Sequence, residues 1–194
     1  MTHFENRQWQ IRENRFSTET QAHKETIMTL GNAFMGVRAT LEEGTPDDTP
    51  ATLISGIFNH KVGELVPELV NLPDSLKITI RINSETFGMD TGTILGYERV
   101  LDLKRALLTR RILWRSPRGA VLRLSFERFA SLTNQHVLAI QVRGKVLSPG
   151  KHRLDISSEL DTTVRNPDGI NHWGQMNGNT DGYYLYFHGI TDQS

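Results

Sequence analysis

Glu42 and Glu43 are adjacent carboxylates, the residue types that general acid/base chemistry uses. Neighbouring residues of an extended strand point to opposite faces, so such a pair rarely shares one site, and a solvated loop edge is the competing reading. Asn171-His172-Trp173 offers a second possibility, a sugar platform, because an indole face stacks on a sugar ring. A packing Trp at the base of a loop is the alternative, since aromatics bury a large area whatever the function. The seven histidines (His3, His23, His60, His136, His152, His172 and His188) show no ligand spacing, and no metal centre is expected. The chain has no Cys, which rules out disulfides, a thiolate nucleophile and a Cys-ligated metal within it. Gly31 and Gly36 have the spacing of a phosphate-binding loop, but no Lys-Ser/Thr follows, and neither His-Glu-x-x-His nor Gly-x-Ser-x-Gly occurs. Arg99, Arg105, Arg110, Arg111, Arg115 and Arg118 form a basic cluster. On alternating strands it predicts a solvated face with surface ion pairs of small energetic value.

The elements that must position these groups are mostly strands. Leu30-Gly31-Asn32-Ala33-Phe34-Met35-Gly36-Val37-Arg38 predicts a hairpin, with Gly31-Asn32 as a turn pair that tolerates positive φ and a strand on each side, Glu25–Leu30 and Met35–Leu41. Glycine at its tip also lets another chain or a ligand approach the backbone. Trp9–Arg12 reads as a first short strand, and Ser17–Glu25 as a loop or one helical turn. The segment 42–50, acidic and carrying two prolines, is a loop, and Leu53–Phe58 reads as a strand. Leu76, Ile78, Ile80 and Ile82 alternate with polar residues, as do Leu122, Leu124 and Phe126, and Leu138, Ile140 and Val142. This period of two predicts half-buried antiparallel strands with those ten residues in the core. Ile94–Leu103 is ambiguous between strand and helix, Leu107–Trp114 is a strand, and Leu154–Leu160 another. Asn166–Gly182 is rich in Asn, Gly and Asp and reads as a long loop, followed by an aromatic strand at Tyr183–Phe187. Strands separated by turn signals every 8–12 residues or so make the chain all-β, an antiparallel sandwich with minor helix.

Bulk properties narrow the function classes. With 194 residues the chain fits one domain or one large sandwich, long enough to bury roughly 70% of its unfolded surface. It carries 22 basic and 22 acidic residues for a formal net charge of zero, which argues against a nucleic-acid partner. Met1–Asn6 is polar without an apolar core, unlike a secretory signal, and no apolar run approaches a membrane span. These features predict a soluble, cytoplasmic chain with no membrane partner.

Several stretches carry a resemblance when read in order. Leu30–Arg38, Glu42-Glu43, Ser55-Gly56-Ile57-Phe58-Asn59, Glu68-Leu69-Val70-Asn71-Leu72-Pro73, Tyr97-Glu98-Arg99-Val100-Leu101-Asp102-Leu103 and Arg128-Phe129-Ala130-Ser131-Leu132 together resemble the opening of glycoside hydrolase family 65. The order and spacing match from Trp9 to about Asn166. The chain departs at Ala33 and Ala39, where the family commonly has Gly, and at Val100 and Ala106. The family comprises phosphorylases of maltose, trehalose, kojibiose and nigerose, with some hydrolases. The resemblance implies an N-terminal β-super-sandwich similar to the galactose mutarotase fold, spanning 1–194 and truncated before its end. The (α/α) barrel that holds the general-acid Glu and the phosphate site would be absent from it.

On this resemblance the domain is non-catalytic. Its partners would be the missing barrel of the same polypeptide and a second copy of the chain. The parent enzyme would take the carbohydrate substrate and, if a phosphorylase, inorganic phosphate as co-substrate, while the domain itself needs no cofactor. Asn32, Phe34, Arg38, Glu43, Phe58 and Asn59 are then candidates for the interdomain surface or the active-site entrance. A hairpin tip at Asn32–Phe34 that meets Phe58-Asn59 on the docking side, with both Phe rings exposed, is expected. Two alternatives stand beside it: a free-standing carbohydrate-binding module using His172 and Trp173, and an aldose-epimerase-like enzyme using a His and a Glu on the concave face.

Overall fold

Alternating side chains build the sandwich as the period of two requires. The computed structural model describes residues 7–46, 48–61 and 63–191. The polar residues 1–6, Asp47 of the acidic loop, Val62 and 192–194 lie outside the described residues. In chain order the elements are β1 (Gln10–Glu13), α1 (Thr18–Ile27), β2 (Leu30–Gly31), β3 (Met35–Val37), β4 (Thr52–Ile54), β5 (Phe58–Asn59), β6 (Glu68–Leu69), β7 (Ile78–Ile82) and β8 (Glu85–Thr86). They continue with β9 (Thr93–Asp102), β10 (Leu107–Arg115), β11 (Val121–Ala130), β12 (Leu138–Val146), β13 (Leu154–Ser158), β14 (Trp173–Thr180) and β15 (Leu185–Thr191). All strand pairs described are antiparallel.

A five-stranded sheet, β1-β9-β10-β11-β12, faces a three-stranded one, β13-β7-β8. Ile78, Ile80 and Ile82 of β7 pack on Ile112, Trp114, Leu122, Leu124 and Phe126 of the larger sheet. Trp114 is fully buried, donates its indole N–H to the Thr91 carbonyl at 2.6 Å and meets Phe87 edge-on. Two smaller clusters lean on the same sheet. Met28, Leu30 and Ala39 pack on Leu101 and Leu108, and Met35, Val37 and Leu76 pack on Ala130. Seven of the ten expected core residues are fully buried. Leu138, Ile140 and Val142 are only half-buried, because β12 and β13 are edge strands of the two sheets and the gap between them stays open. That gap is a groove of about 440 Å³ lined by these three residues and Ile156.

Local expectations changed where tertiary contacts outweighed pattern. Ser17–Glu25 is neither a loop nor one helical turn, and of Glu25–Leu30 only Leu30 is in a strand. Thr18–Ile27 is a three-turn helix held by Gln21 and Glu25, which turn inward and hydrogen-bond to each other at 2.8 Å. The hairpin itself is present, with Leu30 opposite Val37 and Gly31 opposite Gly36. Its tip owes nothing to positive φ, which neither Gly31 nor Asn32 adopts. Instead Asn32 Oδ1 accepts the amides of Phe34 and Met35, both at 2.8 Å, an Asn turn of the backbone-mimicking kind. Leu53–Phe58 is two strands broken at Gly56, whose φ is +95°. Ile94–Leu103 is strand up to Asp102, within the ten-residue β9. The expected long loop 166–182 contains the eight-residue strand β14, paired with β15. The β7–β8 turn places Asn83 and Ser84 both at positive φ, the mirror-image turn that two-residue hairpins prefer.

Candidate functional site

The inner face of the large sheet carries charge where its neighbours are apolar. Arg99 (β9), Arg110 (β10) and Arg128 (β11) occupy inward positions and are at most 2% exposed. Arg99 and Arg110 sit directly opposite each other across the ladder. The expected solvated basic face therefore does not include Arg99 or Arg110, whose guanidiniums are buried in an ion network. Glu42 and Glu43 lie in a turn rather than a strand, so both carboxylates point the same way and both reach Arg110. Nη1 of Arg110 donates to Glu43 Oε1 at 2.7 Å, and Nη2 donates to Glu42 Oε2 at 2.6 Å and to Glu43 Oε2. The guanidinium of Arg110 also lies 4.4 Å from the centre of the Phe126 ring. Arg128 donates to the Thr40 carbonyl at 2.7 Å and comes within 3.7 Å of Glu42 Oε1, and Arg99 donates to the Ala39 carbonyl. The pair is thus neither a solvated loop edge nor an open acid/base pair.

The electrostatics follow from this packing. Burial alone would raise the Glu42 carboxyl, but Arg110 and Arg128 overcome it and hold the group below the usual range. Burial likewise opposes charge on Arg110, while Glu43 and Glu42 raise its pKa above that of an ordinary guanidinium. Burial pushes Arg128 down to about 10, which Glu42 opposes and Arg99 and Arg110 reinforce. Tyr97, pushed up mainly by burial, donates to Glu13 Oε2 at 2.9 Å at the far end of the row.

The same turn forms one wall of a cavity of about 930 Å³. The other walls are the segment from Glu68 to Lys77 and the segment from Asp161 to Pro167. Two buried amides clasp these walls together. Asn71 accepts from the Thr52 amide and donates to the carbonyls of Pro50 and Arg165. Asn166 accepts from the Asn71 amide at 2.9 Å and donates to the Leu69 carbonyl at 2.9 Å. A two-way backbone bridge between Asp74 and Asp161 closes one end. Burial raises the Asp74 carboxyl, whereas the Thr163 hydroxyl and amide, with Lys77, hold Asp161 down at about 2.

The residues expected at an interdomain surface are anchored in four places. Asn32 ties the hairpin tip to the β11–β12 connection, donating to the carbonyls of Ser131 at 2.7 Å and Gln135 at 3.1 Å. Phe34 beside it is half-buried, edge-on to His136 at 4.2 Å. Arg38 braces α1, donating to Glu25, Thr26 and the Ala22 carbonyl. Glu43 is taken up by Arg110. Phe58 is 52% exposed, whereas Asn59 next to it is buried. The expected exposure therefore holds for Phe58 and not for Phe34.

His172 is buried, and its Nε2 lies 2.8 Å from Glu68 Oε1. Trp173 directs its indole N–H to the Asn71 carbonyl at 2.8 Å and meets Phe187 edge-on. His172 is thus buried against Glu68, and Trp173 packs at the base of the β14–β15 hairpin. Glu68, Asp168 and His172 offer ligand atoms within 4.8 Å of one another. Asp168 is exposed and its Oδ1 accepts the Ile170 amide. No helix among the described residues is long and apolar enough to cross a membrane.

Comparison with known proteins agrees with this architecture. The model of the glycosyl hydrolase family 65 N-terminal domain matches residues 11–194. The chain belongs to this family. Over 139 residues this family 65 domain is 37% identical to a kojibiose phosphorylase of Halothermothrix orenii, covering 72% of the chain and 18% of the relative. It is 36% identical over 146 residues to an alpha,alpha-trehalose phosphorylase of Thermoanaerobacter brockii, covering 68% and 19%. A solved putative kojibiose phosphorylase from the human microbiome superposes with a TM-score of 0.80 at 19% identity, over 91% of the domain and 25% of that chain. The family 65 domain thus spans about a fifth of the length of the curated relatives it matches. The cavity walls were missed by motif reading because they assemble from three distant segments. Arg128, a charged residue at an inward position after Leu122, Leu124 and Phe126, was a signal of the buried ion network.

Proposed function

We propose that this chain is the non-catalytic N-terminal domain of a disaccharide phosphorylase or hydrolase acting on α-glucosides. It would shape one wall of the active-site entrance of a catalytic barrel carried elsewhere in the same polypeptide. The observation that carries the docking role is the β5–β6 finger. Phe58 is 52% exposed, and Leu65 and Val66, in the connection, are 97% and 76% exposed. Such a cluster on a loop tip is typical of a surface awaiting a partner. Glu42 and Glu43 support the non-catalytic reading, because their carboxylates are committed to Arg110. Inorganic phosphate, where it is the co-substrate, would then bind the barrel. Self-association of the domain through its open strand edges belongs to the same proposal.

The test is a double variant, Leu65→Ser with Val66→Ser, in the full-length protein. Both side chains are solvent-exposed here, so stability of the isolated domain should stay unchanged. In the full-length protein the variant should raise KM or loosen the domain against proteolysis. Full-length kinetics and proteolysis identical to wild type would refute the docking role of the finger.

A further inference from the structure

The acidic groups around His172 exceed what its hydrogen bond requires. The imidazole is buried, its side chain 1% exposed, and its Nε2 lies 2.8 Å from Glu68 Oε1. Asp168 brings a second carboxylate to the same point, so that Nε2 and one oxygen of each acid lie within 4.8 Å of one another. Two like charges so close repel unless a cation joins them. No lysine or arginine does so: among the described residues the ion pair of Glu68 is the one with His172, and Asp168 has none. Arg165, three residues before Asp168, donates instead to the Gly169 carbonyl at 2.8 Å. A protonated imidazole would answer only one of the two acids, because a ring N–H points to a single acceptor.

We propose that Glu68, Asp168 and His172 form a binding site for a divalent transition-metal ion of the zinc type. The donor set selects the class. An imidazole nitrogen with carboxylate oxygens suits Zn²⁺, whereas Mg²⁺ and Ca²⁺ take oxygen ligands throughout. Three protein ligands leave the fourth tetrahedral position to water, and the exposure of Asp168 opens that side to solvent. His172 is the fixed member. The residue after it is pinned, the Trp173 amide donating to Asn171 and its indole N–H to the Asn71 carbonyl. The carboxylates are the adjustable members, since the Glu68 side chain is 38% exposed and Asp168 lies in a turn. They have room to open from the hydrogen-bonded separation to the spacing of about 3.4 Å that ligands around a tetrahedral zinc adopt. A bound ion would join the base of the β5–β6 finger to the segment before β14. Histidine spacing predicted no metal centre because Glu68 lies 104 residues from His172 in the chain. The site rests on this geometry and not on the family reading.

The test is calorimetric titration of the chelator-treated 194-residue chain with Zn²⁺, repeated on Asp168→Asn and Glu68→Gln. Both variants keep an oxygen to accept from the Ile170 amide and from His172. Removing one of two like charges should leave the metal-free melting temperature equal or higher. One Zn²⁺ per chain is expected to bind saturably and to raise the melting temperature. Its affinity should fall about tenfold or more in each variant, since loss even of a ligand's outer partner costs roughly 10–100-fold. Mg²⁺ in large excess should not displace it. No saturable Zn²⁺ binding, displacement by Mg²⁺, or binding undiminished in either variant would overturn the proposal. The last is what adventitious zinc on the exposed His23 and His60 would give. Those outcomes leave the domain reading intact, because that reading is tested separately by catalytic activity and by the Leu65/Val66 finger.

Discussion

Replacing Glu42 by Gln should unfold this domain more readily than any change at a surface ion pair. The Gln keeps shape and polarity but removes the charge. Arg110 would retain Glu43, with its Nη1 contact at 2.7 Å, while Arg128 would lose the carboxylate 3.7 Å away. Glu42, Arg110 and Arg128 side chains are each 4% exposed or less, so no water screens the loss. Breaking a buried pair from one side costs about 3–5 kcal/mol, which for a domain of this size lowers the melting temperature by roughly 6–20 °C. Because Arg110 keeps one partner, the lower end of that range applies. The control is Glu98→Gln, whose partners Arg12 and Arg111 are 37% and 61% exposed and whose loss should cost under about 1 kcal/mol. Urea unfolding of the three proteins measures both. The pH dependence has a definite sign. Glu42 is held below its ordinary value of 4.5 in the folded state, so the advantage of wild type over the variant is present above that pH. It closes as the pH falls further and the folded carboxylate takes up its proton. Equal costs for the two substitutions, or a difference that grows toward acid, would refute the assignment of Glu42 to a structural ion network.

Three further outcomes are expected. Asn32→Ala removes two donor and two acceptor contacts at the hairpin tip and should cost about 2 kcal/mol in urea unfolding; a cost under about 0.5 kcal/mol would contradict that role. Ala106→Gly should stabilise by about 0.5–1 kcal/mol, since Ala106 sits at φ +48° and a left-handed alanine costs more than the added freedom of glycine; a lower melting temperature would count against it. Sedimentation velocity at several concentrations should show self-association, driven by the open edges β12 and β13 and by Leu65 and Val66; a strict monomer at every concentration would contradict it.

The sheet framework was legible because a period of two admits few alternatives. Ile78 to Ile82 and Leu122 to Phe126 fall inward as their pattern requires. The helix α1 was not legible, because its inward side is Gln21 and Glu25, polar residues that a hydrophobic pattern reads as solvent-facing. The same blindness applied to Arg99 and Arg110. Charged residues at inward positions looked like surface until Glu42 and Glu43 folded over them. β14 was hidden by composition, since Asn and Gly carry no strand preference, and pairing with β15 formed it. Ala106 is the one departure from the family pattern with a direct physical reading, because its positive φ is a position that suits glycine. The cavity was beyond reach of any local motif. Its walls meet through contacts such as the Asn71–Asn166 clasp, 95 residues apart in the chain, and the Asp74–Asp161 bridge.

The most direct measurement is catalytic. The purified chain is incubated with kojibiose, trehalose and maltose, with and without inorganic phosphate, and glucose and glucose-1-phosphate are quantified. A non-catalytic domain, with Glu42 and Glu43 bound to Arg110, should release neither above a heat-killed control. Release of either product from any of the three sugars, retained through purification and abolished by Glu42→Gln at a temperature where that variant is folded, would contradict it.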